Sequence, residues 1–93
     1  MPRTERTKTF KRDYQRAVAA PKHRDLENLR PAVLTLLAAD TALPAKYADH
    51  ALRGEWKDFR DCRVKPDLVL IYRKTGNDLL QLVRLGSHSE LGF

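Results

Sequence analysis

The chain has 93 residues, of which 18 are Lys or Arg and 12 are Asp or Glu, for a net charge of +6. That length gives one domain, residues 1–93, with a core small enough that helices and sheet must both contribute to it. A lone cysteine, Cys62, excludes an internal disulfide. The wide separation of His23, His50 and His88 predicts no structural metal, and with no signal-peptide pattern or bilayer-length apolar run the expectation is a cytoplasmic protein without a membrane partner.

The charge is unevenly spread. Residues 1–24 carry Arg3, Arg6, Lys8, Lys11, Arg12, Arg16, Lys22 and Arg24 against Glu5 and Asp13, which accounts for the whole positive excess. Such a basic end is the footprint of a polyanion partner or of an acidic protein that covers it; a solvated surface is the plain alternative.

In chain order, Thr4 to Thr9 alternates threonine with charged residues and predicts a short edge strand. Phe10, Tyr14, Ala17 and Val18 then fall at helical spacing, with Thr9 able to cap the start and Pro21 ending the pattern. A second helical pattern, Leu26, Leu29, Val33, Leu36 and Leu37, reaches to about Asp40. Pro31 either lies in the first turn of a helix that begins near Asn28 or kinks a longer one. The two helices predict a hairpin packed on one side of a sheet.

Thr41 to Asp49, with Leu43-Pro44 inside it, reads as a loop. Asp58 to Val64 is a charge-dense strand, on which Phe59, Asp61 and Arg63 share one face while Arg60, Cys62 and Val64 share the other. Cys62 reads as a small buried residue on the inner face rather than as a nucleophile. Leu68 to Tyr72 has no polar alternation, which suggests a strand covered on both faces. Thr75-Gly76-Asn77-Asp78 carries the signal of a tight turn into an antiparallel strand, Leu79 to Leu85. Beyond Gly86, Ser87 as cap and Glu90 three residues later predict a single helical turn. The fold class is α+β, in the order β-α-α-β-β-β, on a mostly antiparallel sheet.

The stretch Asp49-His50-Ala51-Leu52-x-Gly54-x-Trp56-Lys57-x-x-Arg60-Asp61-Cys62-x-Val64-x-Pro66-Asp67-Leu68-x-Leu70-Ile71-Tyr72, followed by Gly86-Ser87-His88-Ser89-x-Leu91, resembles the YafQ branch of the RelE/ParE toxin superfamily. The resemblance extends back through the leucine helix and the Leu43-Pro44-x-x-Tyr47 loop. It implies a type II toxin: a small ribonuclease that cuts messenger RNA in the ribosomal A site, contacts 16S ribosomal RNA, and is silenced by an acidic, DinJ-like antitoxin through which alone it meets operator DNA. His50, Asp61, Asp67 and His88 match family site residues. Arg63 stands where this branch usually has histidine, and Gly92 separates the terminal aromatic, Phe93, from Leu91. A non-enzymatic toxin of the ParE kind and a member that binds antitoxin without cleaving are the alternatives.

Cutting RNA without a metal or cofactor needs a base for the 2′-hydroxyl proton, positive charge at the crowded phosphate and an acid for the leaving oxygen. His50 and His88 suit proton transfer, Asp61 and Asp67 can act as bases or orient a histidine, and Arg63 can hold phosphate oxygens. Lys8, Lys11, Arg12, Arg16, Arg60 and Phe93 are the expected RNA contacts. Taken alone, an Asp61–Arg63 pair is an ordinary surface ion pair and Asp67 after Pro66 is turn chemistry. Trp56 reads as structural more readily than as a platform for bases.

Overall fold

The computed structural model describes residues 3–23, 25–28, 31, 34–35, 47–52, 54, 57–75 and 79–91, with the backbone alone at Lys22 and His50. Its elements are β1 (Arg3–Arg6), α1 (Lys8–Ala19), a 3-10 turn (Pro21–His23), β2 (His50–Ala51), β3 (Arg60–Lys65), β4 (Leu68–Thr75), β5 (Leu79–Gly86) and a terminal helical turn (His88–Leu91). The strands form one five-stranded sheet in the order β1-β5-β4-β3-β2. β1 runs parallel to β5, and every other neighbour is antiparallel.

β4 holds the middle position, and its apolar run is buried on both sides. Leu68, Leu70 and Tyr72 join Cys62 of β3 and Leu80, Leu82 and Leu85 of β5 in a core closed by Phe10 and Ala17 of α1 and by Leu26. Val69 and Ile71 point the other way, into a smaller cluster with Leu91, flanked by Leu52, Phe59 and Val83. On that second side the Arg73 guanidinium lies 5.0 Å from the centre of the Phe59 ring.

The α+β expectation is met, with differences at the joints. The first strand ends at Arg6 and helix α1 starts two residues earlier than Thr9 would allow, because Thr7 is the cap. The Thr7 hydroxyl accepts from the Phe10 N–H at 3.0 Å and donates to the Val83 carbonyl at 2.9 Å, while the Thr7 N–H reaches the Leu82 carbonyl at 3.1 Å. Thr7 therefore has a long-range partner in β5 as well as a local one, and Thr9 lies inside the helix. Strand β2 was not anticipated. The pattern from Leu26 to about Asp40 falls mostly outside the described residues; residues 26–28, 31 and 34–35 are helical, and Leu26 and Leu34 pack on the α1 side. Residues 41–46 of the expected loop, and residues 76–78 of the expected turn, also lie outside them, although Thr75 and Leu79 pair across that turn.

One polar group joins helix to sheet. Asp13 is 2% exposed, at the buried stripe of α1 between Phe10 and Ala17. Its Oδ2 accepts from Arg84 Nε at 2.7 Å and from the Leu85 N–H at 3.0 Å, and its Oδ1 accepts from Arg16 Nη2 at 3.1 Å. A buried carboxylate is costly unless charges and donors surround it, and here both do.

Two outcomes follow from this core. Asp13→Ala leaves the Leu85 N–H without its acceptor and should cost about 2–4 kcal/mol, read as a lower urea midpoint with an unchanged slope. Burial, reinforced by the Asp49 and Asp61 carboxylates, pushes the Cys62 thiol up to about 12. The unfolded thiol ionises near about 8.5, so its contribution to stability is complete below that pH and is lost as pH rises toward the folded value. Urea midpoints should therefore fall with rising alkaline pH more steeply in the parent than in Cys62→Ala.

Candidate active site

Residues paired directly across neighbouring strands point to the same side of the sheet. In β3, Asp61 stands opposite Ile71 and Arg63 opposite Val69, so both belong to the face turned away from α1. They are two positions apart, about 7 Å along the strand. Their surroundings differ: Asp61 is 4% exposed, whereas Arg63 is exposed. His50 in β2 takes the register position opposite Asp61, so one row crosses β2, β3 and β4; at Ile71 the register with β5 shifts, and Arg84 there turns to Asp13 of α1 instead.

The next row brings in the C-terminal turn. Val69 pairs with Gly86, which puts Arg63 two strand spacings, about 10 Å, from the end of β5. His88 opens the helical turn just beyond, and Asp67 lies in the exposed turn that joins β3 to β4. Arg63, Asp67 and His88 thus share one end of the sheet, with the His50–Asp61 row behind them. The turn begins as its sequence predicts: the Ser87 N–H donates to Glu90 Oε1 at 2.9 Å, and the Glu90 N–H donates to Ser87 Oγ at 3.1 Å.

The segment leading to His50 is pinned by a cluster that sequence reasoning missed. Asp49 accepts from Arg60 Nη2 at 3.0 Å and Nε at 3.4 Å, and the Tyr72 hydroxyl donates to its Oδ1. Burial first, then the hydrogen bond to Asp49, pushes the Tyr72 hydroxyl above the ordinary tyrosine range, while Asp49 raises the Arg60 guanidinium. The preceding Ala48 has a left-handed backbone, φ 49°, a conformation costing a non-glycine residue about 1–2 kcal/mol. The Asp49 anchors hold the chain in that bend, and so set where β2 meets Asp61. The available signal was the arginine on the Cys62 face of a strand whose neighbour ends in tyrosine.

The expected RNA contacts divide. Lys8, Lys11 and Arg12 are exposed on α1, on the opposite side of the sheet from Arg63. Arg60 is paired with Asp49, and Arg16 is shared between Asp13 and Glu90. Phe93 and Trp56 lie outside the described residues. Among the described residues no three His, Cys, Asp or Glu side chains are grouped as metal ligands.

Known proteins share the sequence pattern and the fold. The family described as "Bacterial toxin of type II toxin-antitoxin system, YafQ" matches residues 2–92. The mRNA interferase toxin YafQ of Escherichia coli K12 is 40% identical over 74 residues, covering 80% of this chain and 79% of that protein. Among solved structures, YafQ from E. coli BL21(DE3) matches with a TM-score of 0.84 at 37% identity, over 98% of both chains. YafQ in the E. coli DinJ-YafQ complex matches with a TM-score of 0.81 at 35% identity, again over 98% of both chains. The family match, the identity and the fold likeness agree, and the chain belongs to the YafQ family of bacterial type II toxins.

Proposed function

We propose that this chain is a ribosome-dependent endoribonuclease that cuts messenger RNA in the A site without a metal, acts in the cytoplasm, and is neutralised by a cognate DinJ-like antitoxin. The observation that carries the reading is that Arg63, Asp67 and His88 lie at the same end of the sheet, with Asp61 buried two positions before Arg63. A phosphate placed there meets a cation, an imidazole that can carry a proton, and carboxylates able to orient it. Asp61 is too enclosed to touch a substrate directly and acts on the His50 position beside it. His50 and His88 divide the proton transfers, and Asp67 serves as base or orienting group.

Placement of the basic residues explains why a ribosome is needed. The candidate site and the Lys8–Lys11–Arg12 surface are on opposite sides of the sheet, so one RNA strand lying in the site leaves the helix untouched. A cleft walled by ribosomal RNA can surround both. The acidic antitoxin is the protein counterpart, drawn to the same positive surface and to the exposed strand β1 at the sheet edge.

Single-turnover cleavage of ribosome-bound messenger tests the enzyme. Arg63→Ala should lose on the order of a hundredfold or more in rate, because it removes a donor aimed at developing charge, while Arg63→Lys keeps part of the activity. Arg63→His should act but gain a pH dependence near the histidine pKa of about 6.5. Full activity of Arg63→Ala would remove that residue from the site. Replacing Lys8, Lys11 and Arg12 together by alanine should weaken ribosome association and flatten its salt dependence, with cleavage at saturating ribosome unchanged.

A further inference from the structure

His88 opens a helical turn of four residues. A lone turn fixes several backbone angles for a single internal hydrogen bond and does not persist by itself, so what holds His88 in place lies outside the turn. Leu91, 9% exposed, packs on Val69 and Ile71 and supplies an apolar foot. The rest of the support is charged. Glu90 uses both carboxylate oxygens: Oε1 accepts from the Ser87 N–H at 2.9 Å, and Oε2 pairs with Arg16 Nε at 3.4 Å. Arg16 also reaches Asp13 Oδ1 at 3.1 Å, and Asp13 Oδ2 accepts from the Leu85 N–H at 3.0 Å.

These contacts close a ring. It leaves β5 at Leu85, crosses α1 through Asp13 and Arg16, and returns through Glu90 to Ser87, enclosing Gly86. The enclosure is tight, since a Cβ on Gly86 would come within 3.4 Å of Glu90 Cβ and Oε1 and 3.5 Å of Leu91 Cδ2. We propose that Glu90 and Arg16 are positioning residues for His88, clamping the junction between β5 and the terminal turn so that the imidazole is presented at a fixed place beside Arg63. The inference rests on the assignment of His88 to proton transfer.

Exposure separates this role from plain stabilisation. The Arg16 and Glu90 side chains are 51% and 48% exposed, so their ion pair adds little to global stability. Placement is far more sensitive: an error of about 1 Å at a reacting group can cost on the order of a hundredfold in rate. Glu90 variants should therefore slow the chemistry while leaving folding and ribosome binding near the parent, whereas Arg16→Ala also takes a donor from buried Asp13 and is compared at its own urea midpoint.

The test combines single-turnover cleavage of ribosome-bound messenger with amide hydrogen exchange on the free toxin. Glu90→Ala should lower the maximal rate about tenfold or more, leave half-saturation by ribosomes within about twofold, and speed exchange at residues 87–91 selectively. Glu90→Gln keeps the acceptor for Ser87 but loses the ion pair and should fall between it and the parent. Arg16→Ala should resemble Glu90→Gln, Arg16→Lys should recover part of the loss, and the double variant should be no slower than the slower single one. A parent-like Glu90→Ala beside an inactive His88→Ala overturns the clamp alone. Full cleavage by His88→Ala overturns the reading of the site itself. An Arg16→Ala that only weakens ribosome association would make Arg16 a phosphate contact and likewise overturn the proposal.

Discussion

The constraint on which the structure depends is that β4 must be dry on both faces. Val69 and Ile71 are fully buried on one side, and Leu68, Leu70 and Tyr72 nearly so on the other. A sheet whose central strand is apolar on two sides needs two covers, and the described residues supply unequal ones. Helix α1 and the Leu26 segment make a broad lid on one face, while Leu91 and a few flanking side chains make a small one on the other. On the side of the small cover Asp61 is buried, while Arg63, two positions along the strand, is exposed.

Much of this was legible in the sequence, for physical reasons that differ by element. An unbroken run such as Leu68 to Tyr72 has few ways to be satisfied, and the central strand is the simplest. Strict alternation placed Asp61 and Arg63 on one face and Cys62 on the other without further information. By contrast, β2 is two residues long, and no period can be read from two residues. Thr7 and Thr9 are equivalent as local caps; the carbonyl of Val83, contributed from 76 positions along the chain, separates them. Family resemblance supplied the candidate site residues, and the register then showed which of their positions are neighbours.

The missed interactions have a common character. Asp13, Asp49 and Glu90 each count as surface acids in a tally of charge, yet each is bound to an arginine and each holds a junction: helix to sheet, loop to β2, and β5 to the last turn. Asp13 did leave a trace, for it lies three residues after Phe10 and four before Ala17 and so falls on the apolar stripe of α1. A net charge of +6 thus understates how specifically the acids are placed. Arg16, Arg60 and Arg84 are committed to internal partners, while Lys8, Lys11 and Arg12 face outward.

The pairing of β1 with β5 gives the molecule an order of assembly. Arg3 lies beside Leu79, Glu5 accepts a hydrogen bond from Gln81 at 2.7 Å, and the Thr7 hydroxyl closes on Val83, so the first strand finds its partner only once the last one exists. Bringing together segments so distant along the chain carries a loop-closure cost before any contact rewards it, which makes this edge of the sheet slow to form. The candidate site draws on β3, on the turn after it and on the residues beyond β5. While the protein is being synthesised, a ribosome therefore carries a nascent chain whose candidate site is still incomplete.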